Sequence, residues 1–332
     1  MAEENKAKNS ADVIINDKYK GLKKEIANEI EGYEFAYFRE DKGIPFCGLT
    51  IYPAQVKDYE IFSNCTTILT LNKNEDPKGI RMSHLDYLIE KIKMPGAEGV
   101  GYSYKLQKLF EIIFHIENGV KCSKCGKVLS YGGKEFKDYL ALLKEIQSKG
   151  DANAEIPKFK CPDCEGEEFT EMIKVVQNEE TKKNELIVDG HKIDRKAFER
   201  LRQIVLFQNY PDYRDDSWVD PDLKRDYEEK MRLERQKNDV HATIERKVIC
   251  LSITTNYKFE EIWNMSIRRF TMALGAVDDL INYKIMRTAV SSGFVSLPKG
   301  KTVEHWIYKP DKDMYGDAYK SMDEITEQAN NL

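Results

Sequence analysis

The sequence predicts an α+β fold that is mostly helical. It comprises an N-terminal α/β region, a four-cysteine zinc ribbon with a helical insert, and an all-α C-terminal region. Three observations carry this. Two CxxC pairs, Cys122/Cys125 and Cys161/Cys164, stand with 35 residues between them. Apolar residues recur at i+3 and i+4 through most of the chain, the period of a helix face. Short strand-like runs bounded by Gly, Pro and Asp occur before and after the cysteine pairs. The expected segments are a disordered 1–12, an α/β domain over 13–117, the zinc-ribbon subdomain over 118–190, a helical domain over 191–310 and a polar tail over 311–332.

In order, Ile15, Tyr19, Leu22, Ile26 and Ile30 predict an amphipathic helix over 13–30. Tyr33–Arg39 and Phe46–Tyr52 read as strands joined at Asp41-Lys42-Gly43. Val56, Tyr59 and Phe62 predict a helix, with strand left open for Thr66–Leu71. Ser83 suits the N-cap of a helix bearing Leu85, Leu88, Ile89 and Ile92, because its hydroxyl can accept from an otherwise unpaired amide. Pro95, Gly96, Gly99 and Gly101 are expected to break that helix before another over Tyr104–Ile116.

Phe136, Tyr139, Leu140, Leu143 and Ile146 place a helix between the cysteine pairs. Phe169–Val176 and Glu185–Val188 are expected to complete the ribbon's sheet. Beyond it, Asp194 and Asp220 cap helices, the second opening on Pro221, where the missing N–H costs nothing. Val240, Ile244, Val248 and Leu251 form a buried stripe. A short helix over Phe259–Met265 precedes a long one capped by Ser266 and stopped near Gly293.

Cys122, Cys125, Cys161 and Cys164 are the candidate metal ligands. Thiolates in two close pairs suit a tetrahedral, sulfur-accepting ion, and Zn²⁺ is the expected cofactor. Four sulfurs close the coordination sphere, whereas catalytic zinc keeps an open position, so a structural role is expected. A nucleic-acid-gripping ribbon and a redox dithiol are the alternatives. The second usually needs only one pair. Cys47, Cys65 and Cys250 are odd in number and sit beside apolar residues, which suggests reduced core thiols.

The formal net charge is −5, and four thiolates with one dication take it to −7, against the basic footprint of a nucleic-acid protein. The N-terminus has no apolar signal segment. No apolar run reaches the ~20 residues a membrane span needs. Nucleophile-elbow, Walker, zincin and Rossmann motifs are all missing, so no catalytic residue and no small-molecule substrate is expected. The Gly96–Gly101 run follows a helix rather than a strand, which argues against a phosphate loop.

Three further groups have weaker functional readings. His115 is a possible substitute ligand, and His305 beside Trp306 reads as packing. Asp212, Asp215, Asp216, Asp220 and Asp222 could bind a cation, but acids near helix starts usually serve as caps. The helices from Ile244, Phe259 and Ser266 have a helix-turn-helix cadence, with Arg268 and Arg269 where base contacts would be made. A zinc-ribbon/helix-turn-helix regulator is therefore the alternative function.

Other stretches carry a resemblance. They are Gly48-Leu49-Thr50-Ile51-Tyr52-Pro53 with Lys57-Asp58-Tyr59, and Phe207–Tyr213 with Val219–Leu223. Phe259–Met265 with Ile267–Phe270, then Ser292–Val295 and His305-Trp306-Ile307, complete the set. Together they resemble a family encoded by large tailed bacteriophages of low-GC Gram-positive hosts. The resemblance implies a non-enzymatic component or assembly factor of a contractile tail's baseplate or hub, made in the host cytoplasm and located in the virion tail. Its implied partners are other tail proteins, with Trp218, Trp263 and Trp306 as candidate anchors, since aromatics are enriched at interface hot spots.

Overall fold

The computed structural model describes residues 22–73, 76–148, 157–178, 182–215, 221–238, 242–297 and 302–307. The expectations for 1–12, for the first part of the 13–30 helix and for 311–332 lie outside these residues, as do Asp216, Trp218, Asp220, Val240 and His241. The fold is α+β and mostly helical, with small antiparallel sheets and an all-α C-terminal part. The chain divides into two compact units. One holds residues up to 217 together with Trp263–Arg269, and the other holds 218–262 and 270 onward.

In the first unit, α1 (Lys24–Tyr33) runs directly into a π-helical turn, Glu34–Phe38. This corrects the strand expected over Tyr33–Arg39. Ile26, Ile30, Tyr33 and Tyr37 continue one helical face, Phe38 is 1% exposed, and the Tyr33 and Tyr37 rings meet edge to face at 5.5 Å. The hairpin forms one turn later. β1 (Ile44–Phe46) pairs with β2 (Leu49–Ile51) around Cys47-Gly48, both at positive φ (47° and 82°), the backbone a two-residue hairpin requires. A Cβ at Gly48 would stand 2.3 Å from the His191 ring, so this turn also needs glycine for space.

Val56–Asp58 (3₁₀), α2 (Tyr59–Thr66) and Thr67–Leu69 (3₁₀) resolve the open choice in favour of helix. α3 (His84–Ile92) starts on Ser83, whose Oγ accepts from the Asp86 amide at 3.1 Å. α4 (Ala97–Phe114) begins seven residues before the expected start, taking in Gly99 and Gly101. Gly99 is there because a Cβ would meet the Met94 carbonyl at 2.1 Å. Of the three glycines only Gly99 makes so close an approach, and Gly96 is set apart by its φ of 84°.

The ribbon sheet has the order β4–β3–β5, from β3 (Gly119–Cys122), β4 (Val128–Ser130) and β5 (Phe169–Glu171). α5 (Lys134–Ser148) is the helical insert. Its Phe136 stacks on Phe159 (4.3 Å), which in turn contacts Tyr139 and Phe169. Of the two stretches expected to complete that sheet, only Phe169–Glu171 joins it. β6 (Ile173–Gln177), β7 (Asn184–Val188) and β8 (His191–Ile193) form a sheet of their own. Met172, Ile173, Leu186, Val188 and Ile193 enter the main core with Phe62, Leu88 and Phe110.

α6 (Arg195–Asn209), capped by Asp194 through the Ala197 amide at 2.8 Å, joins the same core with Phe198, Leu201, Ile204 and Phe207. Trp263–Arg269 also belongs to this unit. Ser266 bridges Gln55, the Val56 amide donates to the Met265 carbonyl (2.9 Å), and the Ile267 amide donates to the Ala54 carbonyl (2.9 Å). In the C-terminal part lie α7 (Pro221–Asn238), α8 (Ile244–Thr255), α9 (Phe259–Trp263) and α10 (Ile267–Ser291). Val248 and Leu251 of α8 are buried as expected. Ser266 Oγ accepts from the Arg269 amide at 3.3 Å, and Gly293 takes φ 78° beyond the end of α10.

Candidate metal centre

Each cysteine pair sits on a tight turn with the same hydrogen-bond frame. In the first, the Gly126 amide donates to the Cys122 carbonyl (2.9 Å) and the Cys122 amide donates to the Lys127 carbonyl (2.9 Å). In the second, the Glu165 amide donates to the Cys161 carbonyl (2.8 Å) and the Cys161 amide donates to the Gly166 carbonyl (2.9 Å). β3 delivers the first turn, β5 pairs with β3 at Cys122↔Phe169, and the Ser123 amide bonds the Glu168 carbonyl (2.9 Å). These contacts bring the second turn over the first.

The four Sγ atoms lie within 4.8 Å of one another. Cys122 and Cys164 are 3.5 Å apart and Cys125 and Cys161 are 3.6 Å apart. Four sulfurs bonded at ~2.3 Å around a tetrahedral zinc stand about 3.8 Å from one another, so the donor set fits such an ion. Gly166 closes over the sulfurs, since a Cβ there would lie 3.2 Å from Cys122 Sγ and 3.3 Å from Cys164 Sγ. Gly166 carries no signal in the sequence, because only the folded turn shows what its missing side chain makes room for. Lys127 Nζ pairs with Asp163 at 2.7 Å and Lys124 Nζ donates to the Cys164 carbonyl at 3.2 Å, tying the turns together.

The thiols ionise unequally. Cys122 is pulled down to about 7, chiefly by the Cys125 amide. At Cys164 the Gly166 amide acts to lower the value, but burial and the neighbouring sulfurs outweigh it and push the thiol up to about 12. Four thiolates this close repel one another, and a bound dication removes that cost and favours all four anions. When bound, the ion supplies cross-links between the two turns. Among the described residues the cluster consists of these four sulfurs.

The other sequence candidates are engaged elsewhere. His115 takes a left-handed conformation (φ 53°) and stacks flat on Tyr52 at 4.2 Å. His305 lies 5.1 Å from the Tyr283 ring and 5.9 Å from that of Trp306. Of the acidic group, Asp215 is buried and accepts from Gln203 Nε2 (3.2 Å), and Asp222 pairs with Arg225 (3.1 Å). Cys65 is buried, but Cys47 and Cys250 are exposed, which corrects the reading of all three as core thiols.

Arg268 is withdrawn from solvent, whereas the Arg269 side chain is 52% exposed. Arg268 is 4% exposed, donates through Nη1 to the Phe207 carbonyl (2.8 Å) and lies 5.5 Å from the centre of the Phe38 ring. Arg269 pairs with Asp41 (2.9 Å) and donates to the Arg39 carbonyl (3.0 Å). These contacts lie within the first unit, to which Trp263–Arg269 belong.

Residues 234–311, roughly a quarter of the chain, match the family model described as the second domain of YomV. No curated protein and no solved structure matches the chain. No helix among the described residues is long and apolar enough to cross a membrane.

Proposed function

We propose that this chain is a non-enzymatic structural or assembly protein of a bacteriophage tail, from the baseplate or hub of a contractile tail. It works through protein–protein contacts and carries Zn²⁺ on Cys122, Cys125, Cys161 and Cys164 as a structural brace. The match of 234–311 to the second domain of YomV carries this reading, because YomV is a phage-like protein of the SPβ prophage. The matched stretch contains the Phe259–Phe270, Ser292–Val295 and His305–Ile307 segments of the phage-family resemblance. The closed donor set of four sulfurs supports a bracing ion over a reacting one.

The test is a protein inventory of purified virions and of tail-assembly intermediates from infected or induced cells. Recovery with tails, or with sub-tail particles alone, supports the virion and assembly forms of the proposal respectively. Absence from both, with stoichiometric recovery on nucleic acid and a steep salt dependence, overturns it.

A further inference from the structure

We infer that the cysteine cluster is a peroxide-reactive modification site that opens at Cys125 and closes as a disulfide between the two turns, Cys125 to Cys161. The four cysteines differ in exposure. Cys122 and Cys161 are buried, Cys164 is intermediate and Cys125 is exposed. Cys125 is thus the cysteine of the four most open to a peroxide in solvent. The sulfur nearest to it among the bonded pairs is on the opposite turn, Cys161 at 3.6 Å, and the same crossing holds for Cys122 and Cys164 at 3.5 Å. All four sulfurs lie within 4.8 Å of one another, and the contacts at 3.5 and 3.6 Å both cross from one turn to the other.

The step balances with hydrogen peroxide as the oxidant. The Cys125 thiolate attacks one peroxide oxygen, the O–O bond breaks, a sulfenic acid forms and hydroxide leaves. The Cys161 thiolate then attacks the Cys125 sulfur, the S–S bond forms and a second hydroxide leaves. Two sulfurs are each oxidised by one electron, and the peroxide takes up both electrons. An ion held by the cluster loses two of its four donors and is released. This inference goes beyond the tail reading and does not need it.

The experiment uses the full-length chain carrying Cys47→Ser and Cys250→Ser, which removes the other exposed thiols. Metal content is measured first, so that a failure of the zinc reading is seen separately. The protein is then titrated with hydrogen peroxide. Metal release is followed with a chromogenic chelator, and quenched samples are alkylated and mapped by mass spectrometry under non-reducing conditions. The expected result is loss of Cys125 alkylation first, then a Cys125–Cys161 link, with the metal released in step. A first link within either pair, Cys122–Cys125 or Cys161–Cys164, overturns the inference. So does first loss at Cys122, Cys161 or Cys164, or survival of all four alkylatable thiols under peroxide that oxidises Cys250 in the unmodified chain.

Discussion

Gly126 and Glu165 hold the same place in the two cysteine turns. Each lies four residues after the first cysteine of its pair, donates its amide to that cysteine's carbonyl, and has positive φ, 76° and 55°. The chain has glycine at one of these positions and a residue carrying a Cβ at the other. A non-glycine residue in the left-handed region costs roughly 1–2 kcal/mol.

Replacing Glu165 with Gly is therefore expected to leave the ribbon as stable or to stabilise it by up to ~1 kcal/mol, after the added flexibility of the unfolded chain is offset. Gly126→Ala is expected to destabilise it by about 1 kcal/mol or more. Thermal unfolding of the metal-loaded proteins, with a competing chelator to rank metal affinity, reads both.

Removing the metal, or changing Cys161 to Ser, is expected to unfold the ribbon and leave β6–β8 standing, because Leu186, Val188 and Ile193 lie in the main core. Binding of a structural zinc is worth about 10–16 kcal/mol in small zinc peptides, so little of the ribbon should persist without it. Hydrogen exchange should show loss of protection over Gly119–Glu171 and retention over Ile173–Ile193. Loss over both would refute this division.

Asp86 ties three elements at one carboxylate. Arg195 Nη2 donates to its Oδ1 at 2.9 Å, Arg195 Nε stands 2.7 Å from its Oδ2, Asn184 Nδ2 donates to Oδ1 at 3.0 Å and Ser83 Oγ to Oδ2 at 2.6 Å. The Asp86 side chain is 7% exposed and that of Arg195 is 36% exposed. Breaking a buried pair costs about 3–5 kcal/mol, and the exposed side of Arg195 puts Asp86→Ala toward the low end, near 3 kcal/mol. A denaturant midpoint unchanged by this substitution would contradict the assignment.

Acid should destabilise the first unit in two steps. Burial pushes the Glu199 carboxyl up, but hydrogen bonds from His84 (2.6 Å) and Arg202 (2.6 Å) outweigh it and hold the group well below its ordinary range. Burial lowers His84, with Glu199 opposing. The unfolded chain therefore binds protons more readily at both residues, and stability falls as pH falls. The loss begins as pH drops below about 6.5 for His84 and continues below about 4.3 for Glu199. Glu199→Gln should flatten the lower part of the denaturation-midpoint profile from pH 7 to 3.

Arg268→Ala should lower the unfolding midpoint by removing a buried donor from the Phe207 carbonyl and the cation over Phe38. A hydrogen bond from a charged group contributes about 1.5–3 kcal/mol. The same variant should not change the retention of the chain on duplex DNA at low or moderate salt. A drop in retention with a reduced salt slope would restore a base-reading role.

Features that depend on near neighbours are legible along the chain. The cysteine spacing located the two turns. Ser83, Asp194 and Ser266 announced helix starts because a cap needs only a short oxygen-bearing side chain three residues before the amide it accepts from. Phe136–Ile146 declared its helix by period.

Tertiary structure alone decided which element each segment joins. Ile173–Gln177 reads as strand either way, but its pairing with Asn184–Val188 and the place of Ile173 in the main core come from distant contacts. Gly99 reads as a breaker until the Met94 carbonyl is seen where its Cβ would go, and Arg268 reads as a surface cation until Phe207 and Phe38 are placed beside it. Local preferences amount to tenths of a kcal/mol per residue, and burial of one large apolar side chain contributes about 1.5–3 kcal/mol. Where the two disagree, packing prevails.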